Sequence, residues 1–375
     1  MNFDFSDDQK MLKDQAHKFL SEKCPPKAVR AIYESGKTFD AGLWKQVADL
    51  GWAGTAIPEQ YGGLGLGYLE LCVIMEELGR ALAPIPFSST VCQFGEAILT
   101  AGSEEQKQRL LPKVAACEII GTLARAEGPG AILPKNIRTA FRGGKLNGKK
   151  TAVADGMDAD YAVVLARGSD DAGERGLQLV LVDLNQPGVK RRALSSIDPS
   201  RARAELTFEN ANAEALGKQG EAWSDLNRVL DRAAILMAFE QVGGADVCLQ
   251  MAKGYAMERY AFGRPIASFQ AIKHKLADIY VGNELARSNA YYGAWALSTG
   301  ARELPLAAAA ARISATQAFD FAAKENTQTH GGVGFTWEFD CHFYYKRSRE
   351  LGLALGPQRV WKDKLVSQLE LSNAA

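Results

Sequence analysis

One acidic side chain lies on an otherwise apolar helix face. Apolar residues at three- and four-residue steps mark this face: Leu226, Leu230, Ala233, Met237, Gly244 and Val247. Glu240 falls in the middle of the same face. Desolvation makes a carboxylate a stronger base, which would suit Glu240 for taking a proton from a substrate. The alternative is that Glu240 forms an ion pair with a basic residue of a neighbouring helix or of a partner subunit.

A second candidate is the segment "HGGVGFTWEFD", residues 330–340, in which three glycines lead into Phe335, Trp337 and Phe339. Glycine tolerates positive φ and lets backbone approach another group closely. The segment is therefore either a helix end or a surface pressed against a ligand. His330, beside the glycines, is expected to be a hydrogen-bonded structural residue.

Other cofactor chemistries lack their motifs. Neither "GGLGLG" at 62–67 nor "GGVGF" at 331–335 reproduces the GxGxxG pattern, and the chain contains no GxxxxGK[ST]. The four histidines are far apart, without metal-ligand spacing: His17, His274, His330 and His342. Nicotinamide dinucleotide, P-loop nucleotide and metal binding are therefore not expected.

Composition narrows the class of protein further. The chain has 375 residues, and its 44 basic residues balance its 44 acidic ones, which argues against binding to nucleic acid or a membrane surface. Six cysteines occur without a CxxC pair, as in a reducing compartment. The acidic N-terminus does not resemble a secretory signal. A cytoplasmic protein is expected.

Periodicity predicts helices in the first third of the chain and strands in the middle. Ser6 and Gln9 form a capping-box pattern, and further helical patterns follow at Trp44–Leu50, Leu69–Leu82 and Gln106–Ala116. From Gly121 the runs Tyr161–Ala166 and Leu177–Leu184 read as strands, and Leu146-Asn147-Gly148-Lys149 reads as a hairpin turn.

Long helical patterns return after Ala222, at 223–258, 267–298, 305–330 and 340–370. The predicted fold is mainly α with a central β-domain. Its three parts are an N-terminal helical domain at 1–120, a small antiparallel, β-barrel-like domain at 121–222 and a C-terminal four-helix bundle at 223–375.

Three sequence motifs, together with this order of elements, narrow the chain to one family. They are "PEQYGGLGL" at 58–66, "ERYAFGRPIASFQAIKHKLAD" at 258–278 and "NTQTHGGVGFTWEFD" at 326–340. Together, in this order and spacing, they resemble the acyl-CoA dehydrogenase family over nearly the whole chain.

The resemblance implies FAD as cofactor, held between the β-domain and the bundle of one subunit, with the mate subunit's bundle reaching the pyrophosphate and adenine. By position, Arg259 matches the arginine on the pyrophosphate, and Phe262 and Gln270 match flanking contacts. Gln328, Gly331 and Gly332 match residues beside the adenosine half. An arginine fork suits a pyrophosphate. The alternative is that Arg259 ends a helix and that the glycines separate two helices.

The chain departs from the family at several positions. The usual catalytic glutamate precedes a glycine well beyond the HGG-like motif, where this chain has Leu355-Gly356. Residues that usually pack against the flavin ring correspond to Ala152 and Ala154. Some relatives carry their glutamate earlier on the helix of Glu240, at a position that is Ala233 here. Glu240 is therefore the predicted catalytic residue.

The implied activity is oxidation of an acyl-CoA thioester to the 2-enoyl-CoA, with electrons passed to an electron-transfer flavoprotein. With these motifs and without the C-terminal glutamate, the chain resembles the bacterial members of the family that act on bulky or ring-bearing CoA thioesters, including steroid side chains. One alternative is a non-catalytic subunit that completes the FAD site of a heteromeric enzyme, and another is a flavin oxidase or monooxygenase. A homo- or hetero-oligomer, dimeric or tetrameric, is expected because the cofactor contacts come from two chains.

Overall fold

The structure, a computed structural model, describes residues 6–373. They divide into two compact units, neither of which is one continuous stretch of chain. The helical unit contains residues 6–31, 68–83 and 234–373, and the sheet unit contains residues 32–67 and 84–233. Mainly helical structure, with the strands of one sheet in the middle of the chain, confirms the predicted fold class. The division into three consecutive domains at 120 and 222 stays a prediction.

The first helix begins as its capping box predicts. The Gln9 amide donates to Ser6 Oγ at 3.2 Å, and the Ser6 amide donates to Gln9 Oε1 at 3.0 Å. The helices in chain order are α1 (Asp7–Lys23), α2 (Pro26–Ser35), α3 (Ala41–Asp49), α4 (Tyr68–Arg80), α5 (Phe87–Ser89), α6 (Glu96–Ala101), α7 (Glu104–Ala115), α8 (Ala222–Glu258), α9 (Gln270–Thr299), α10 (Leu304–His330), α11 (Cys341–Ala354) and α12 (Gln358–Asn373).

The predicted helix at 340–370 is wrong as a single element, because α11 and α12 are separate. Leu355, Gly356 and Pro357 lie between them. Gly356 has φ +100°, which ends a right-handed helix, and Pro357 lacks the amide that a helix interior requires. The helices predicted at 223–258 and 305–330 agree with α8 and α10 to within about a residue.

The sheet has eight strands: β1 (Gly121–Ala124), β2 (Ala140–Arg142), β3 (Lys145–Ala154), β4 (Tyr161–Arg167), β5 (Leu177–Asp183), β6 (Val189–Leu194), β7 (Arg203–Asn212) and β8 (Glu214–Leu216). Their order is β6-β7-β3-β2-β4-β5-β8, and β1 pairs with β4. Pairing is antiparallel except for β1 and β2 against β4, which is parallel. Alternate residues of β4 and β5 face two separate hydrophobic cores, so both strands are buried on both faces.

The hairpin turn predicted at 146–149 is wrong. Asn147 and Gly148 lie inside β3, and the turn between β2 and β3 is Gly143-Gly144, with φ +54° and +75°. Two consecutive positive φ angles match a two-residue hairpin turn. Gly148, at φ +138°, lies where the register between β3 and β7 shifts. It is a bulge glycine, which explains why its sequence looked like a turn.

Two glycines allow α4 and α8 to cross closely within the helical unit. A Cβ on Gly79 would lie 1.9 Å from the carbonyl oxygen of Glu240, and a Cβ on Gly243 would lie 2.0 Å from that of Glu76. The two backbones are thus in direct contact, and any larger residue at either position would force the helices apart.

Two kinds of feature are absent from the part of the chain that is described. No helix within residues 6–373 is long and apolar enough to cross a membrane. The same residues contain no group of three or more His, Cys, Asp and Glu side chains that could hold a metal ion. Among the same residues none of the six cysteines forms a disulfide, and all but Cys117 are buried.

Candidate functional site

The residues predicted to contact FAD lie at one end of the helical unit. Tyr255, near the end of α8, stacks on His330, at the end of α10, with ring centroids 4.3 Å apart. Lys275, near the start of α9, pairs with Glu325 of α10 at 2.7 Å. The ends of α8 and α10 therefore meet the start of α9. This brings Arg259, Gln270, Gln328 and the glycines of 331–332 to the same end.

Arg259 presents an uncommitted guanidinium at this end. Its backbone is fixed, because its amide donates to the Tyr255 carbonyl and its carbonyl accepts from the Ile266 amide, both at 2.8 Å. Its side chain is exposed and, among residues 6–373, has no hydrogen bond or ion pair. The fork is therefore available to an anionic ligand such as a pyrophosphate.

Phe262 lies at the tip of a small hairpin formed by β9 (Tyr260–Ala261) and β10 (Arg264–Pro265). Phe262 and Gly263 form the turn, with φ +53° and +78°. The Phe262 side chain is 95% exposed, although its edge meets Phe269 with 6.2 Å between ring centroids. A bulky ring held out at a strained backbone position is suited to contact a ligand or another chain.

The glycines of the segment 330–340 allow an unusual backbone conformation and leave an open surface. Gly331 has φ +64° and ψ −138°, a combination that residues with a Cβ avoid. A Cβ on Gly331 or Gly332 would meet no atom within 4 Å, whereas one on Gly334 would lie 2.5 Å from the Thr327 carbonyl. The first two glycines therefore leave their backbone accessible. His330 Nδ1 lies 2.9 Å from the Asn326 carbonyl, a hydrogen bond of the structural kind that was expected.

Glu240 is fully buried and faces an arginine. Its Oε1 lies 3.5 Å from Arg347 Nη1, and Arg347 Nη2 donates to the Leu82 carbonyl at 3.2 Å. This is the ion-pair contact with a neighbouring helix that sequence reasoning gave as the alternative. Every residue of α8 from 233 to 245 is buried, so the apolar stripe is one side of a helix buried all round.

A second buried arginine contacts the same two helices, α8 and α11. Arg312 of α10 donates through Nη1 to Gln241 Oε1 at 2.9 Å and through Nη2 to the Leu351 carbonyl. Gln241 Nε2 in turn donates to Thr316 Oγ1 at 3.2 Å. Sequence analysis missed this polar layer, although Arg312 is conspicuous as a charge within the apolar stretch "LAAAAARISA" at 306–315, whereas Arg347 lies among other charged residues.

Leu355 offers no carboxylate where the family usually has one. Its side chain is buried, and its carbonyl accepts a hydrogen bond from Trp361 Nε1 at 3.2 Å. The link between α11 and α12 is thus held by backbone contacts around an apolar side chain.

In the sheet unit, Ala152 and Ala154 use their carbonyls within the chain. The Ala152 carbonyl, in a residue with φ +53°, accepts from Arg203 Nη1 at 3.2 Å. The Ala154 carbonyl accepts from Thr122 Oγ1 at 2.6 Å. These positions therefore supply neither an aromatic ring nor a hydroxyl to a flavin.

Glu127, in the stretch "ARAEGPG", anchors the loop that precedes β2. Its carboxylate accepts from Lys150 Nζ at 2.7 Å, from the Arg138 amide at 2.7 Å and from the Thr139 amide at 2.9 Å. Burial lowers the pKa of Lys150 to about 8, although Glu127 opposes that shift. A cavity of about 450 Å³ is lined by residues 127–133 and 136–139 with Gly148 and Lys149.

Arg125, which is half-buried, adds another cation to this part of the sheet unit. Burial, with the charge of Arg203 as a second cause, lowers its pKa to about 10. Lys150 Nζ lies 3.3 Å from the Arg125 carbonyl. Several positive charges near the end of β1 favour an anionic group in this region.

Comparisons with known proteins cover nearly the whole chain. The family models for the N-terminal, middle and C-terminal domains of acyl-CoA dehydrogenase match residues 6–118, 126–211 and 220–369. The acyl-CoA dehydrogenase IpdE2 of Mycobacterium tuberculosis (strain ATCC 25618 / H37Rv) is 31% identical over 364 residues, 97% of this chain and 98% of the relative.

Solved structures agree. Butyryl-CoA dehydrogenase from Megasphaera elsdenii has a TM-score of 0.90 at 25% identity and covers 98% of this chain and 100% of its own. A chain of the ChsE4-ChsE5 complex from Mycobacterium tuberculosis has a TM-score of 0.88 at 26% identity and covers 99% of both chains. The similarity thus extends through the helical and the sheet unit alike.

Proposed function

Because this chain belongs to the acyl-CoA dehydrogenase family, we propose that it binds FAD and oxidises an acyl-CoA thioester to the 2-enoyl-CoA. An electron-transfer flavoprotein is the proposed electron acceptor. The observation that carries the proposal is that the uncommitted Arg259 fork and the accessible backbone of Gly331-Gly332 lie at the same end of the helical unit, where Tyr255 stacks on His330.

Each predicted residue has a role in this proposal. Arg259 binds the pyrophosphate, which its planar fork can engage bidentately. Gln328, Gly331 and Gly332 contact the adenosine half, and Phe262 and Gln270 flank it. The residues at this end fit FAD, whereas Ala152 and Ala154 leave only backbone and small side chains for the flavin ring. A bulky or ring-bearing acyl group is the proposed substrate class, by resemblance to members that lack the C-terminal glutamate.

The chemistry removes hydrogens from two adjacent carbons. A carboxylate takes the α-proton, and FAD, when bound, accepts the β-hydride. Glu240 is the proposed base, since it is fully buried on α8 and Leu355 cannot act. Arg347 Nη1 lies 3.5 Å from Glu240 Oε1, and in this proposal substrate binding displaces that contact so that the carboxylate can reach the α-carbon.

A second candidate is a non-catalytic subunit of a heteromeric acyl-CoA dehydrogenase. The Glu240–Arg347 pair, the apolar Leu355 and the alanines at 152 and 154 favour it. In that role Arg259 and Gln328 would bind the FAD of an active partner. Either candidate requires an oligomer, and light scattering that finds a stable, flavin-bound monomer would contradict both.

The test is purification of the chain alone and co-expressed with the product of a neighbouring gene, with flavin absorbance as the readout. CoA thioesters are then screened for bleaching of the flavin. Activity and flavin in the chain alone support catalysis, and flavin only in the co-expressed complex supports the second candidate. Flavin in neither preparation overturns the proposal.

Two variants examine the named residues. Arg259→Met should weaken FAD binding by ~10-fold or more, the usual worth of a charge-assisted hydrogen bond. Arg302→Met, at an exposed arginine in the turn between α9 and α10, is the matched control and should bind FAD as the parent does.

Glu240→Gln keeps the side-chain size and should slow flavin reduction by ~10²–10⁴-fold if Glu240 is the base. Reduction at the parental rate would make Glu240 structural.

A further inference from the structure

We propose that Arg30 is a positioning residue for the adenosine half of FAD, because it clamps the glycine-aromatic segment 330–340 from outside. This inference rests on the proposed function. Arg30 belongs to α2, which is far from the segment along the chain, and nothing in the motif itself points to it.

The guanidinium of Arg30 joins two points of the segment. Its Nη1 donates to the Trp337 carbonyl, and its Nη2 lies 2.5 Å from Asp340 Oδ1. Asp340 precedes the first residue of α11 and makes no capping hydrogen bond with its side chain. The Asp340 carboxylate thus binds Arg30 instead of capping α11.

Aromatic rings enclose the same guanidinium. Its central carbon lies 5.0 Å from the ring centroid of Trp337 and 4.9 Å from that of Phe343. His342 stacks on Trp337, with ring centroids 4.9 Å apart and planes at 23°. Hydrogen bonds in the guanidinium plane and rings near the cation fix the side chain in orientation as well as position.

The contacts of Arg30 matter because the first two glycines of the segment have no side chains to fix their backbone conformation. Gly331 and Gly332 have no neighbour within 4 Å of a Cβ position, so packing around them does not fix their backbone. Stacking of His330 on Tyr255 holds the start of the segment, the Cys341 thiol donates to the Gly334 carbonyl, and Arg30 binds the end of the segment at Trp337 and Asp340. Loss of Arg30 removes the contact of the segment with α2, which loosens the backbone that is proposed to meet the adenosine half.

The test uses the full chain in whichever assembly binds FAD. Arg30→Met, Arg30→Lys and the control Lys27→Met, an exposed position on the same helix, are compared by FAD titration, hydrogen exchange of residues 331–340 and thermal denaturation. Arg30→Met should weaken FAD binding by ~10-fold and speed exchange in 331–340. Arg30→Lys should rescue only part of the affinity, because a lysine ammonium lacks the planar fork that donates to the Trp337 carbonyl and the Asp340 carboxylate together.

A purely structural Arg30 would lower the melting temperature without changing FAD affinity in the folded protein, and that result would overturn the inference. Parental exchange rates in 331–340 of Arg30→Met would overturn it as well. A parent protein that binds no FAD is a separate outcome, since it overturns the proposed function and, with it, the role of Arg30 towards the cofactor.

Discussion

Arg347 Nη1 lies 3.5 Å from Glu240 Oε1, and neither side chain is more than 1% exposed. Arg347 also donates to the Leu82 carbonyl, just beyond α4. One guanidinium therefore connects α11 with α8 and with the chain after α4, all within the helical unit. Each partner of this pair depends on the other, because a single buried charge is far more costly than a buried pair.

Arg347→Met should destabilise the protein by about 3–5 kcal/mol, since it leaves Glu240 buried without its cation. The double variant Arg347→Met with Glu240→Gln should recover part of that loss. The measurement is the free energy of unfolding in urea. The control is Arg359→Met, which breaks an exposed pair with Asp363 on α12 and should cost less than about 1 kcal/mol. Equal losses for Arg347→Met and Arg359→Met would show that the buried pair is not stabilising in this way.

Gly243→Ala should destabilise by about 1–3 kcal/mol or more, because the new methyl group would lie 2.0 Å from the Glu76 carbonyl oxygen and must push α4 from α8. The matched control is Gly254→Ala, on the same helix, where a Cβ meets no atom within 4 Å. That control should gain up to about 1 kcal/mol from helix propensity. Thermal denaturation distinguishes them, and a stabilised Gly243→Ala would contradict the close crossing.

Lys150 should make stability rise with pH between about 8 and 10.5. Its pKa in the folded protein is lowered to about 8 by burial, so in this range the unfolded chain holds a proton that the folded chain has lost. The gain should reach roughly 3 kcal/mol at most. Lys150→Met should remove it, whereas Lys149→Met, at a half-exposed neighbour, should keep it. Unfolding free energies at pH 7.5 and 10 give the comparison, and equal pH slopes for Lys150→Met and the parent would refute the prediction.

His342 should make the helical unit less stable in acid. Burial and then the positive charge of Lys346 lower its pKa below 6.5, and Arg30 acts in the same direction while Asp340 opposes it. The unfolded chain therefore takes up a proton first, and stability falls as pH drops below about 6.5. His342→Phe should flatten the dependence of melting temperature on pH between 6.5 and 5. A variant as acid-sensitive as the parent would place the titrating group elsewhere.

Local signals predicted the positions of the main helices well. The ends of α8 and α10 follow from apolar periodicity that stops at Arg259 and at Gly331, and the family resemblance is confirmed by the three matching family models. These features depend on neighbours in sequence, which is why they can be read without a structure.

Features that depend on distant residues could not be predicted. Asn147-Gly148 has the composition of a turn, but pairing with β7 draws it into β3, and only the register decides between the two. Likewise, Glu240 on an apolar face says nothing of Arg347, whose helix reaches it through the fold. The clamp by Arg30 has no sequence signal at all, because its contacts lie at the far end of the chain.

The division of the chain into interleaved segments governs the order in which the protein can fold during synthesis. The sheet unit is complete once residue 233 has emerged, whereas the helical unit waits for residues 234–373. At ribosomal rates of about 5–20 residues per second, that wait lasts roughly 7–28 seconds. Until residue 287 of α9 has emerged, α1 and α4 are present without it, so Glu76 lacks its partner Arg287. A chain that ends after residue 233 would therefore contain every segment of the sheet unit but only residues 6–31 and 68–83 of the helical unit.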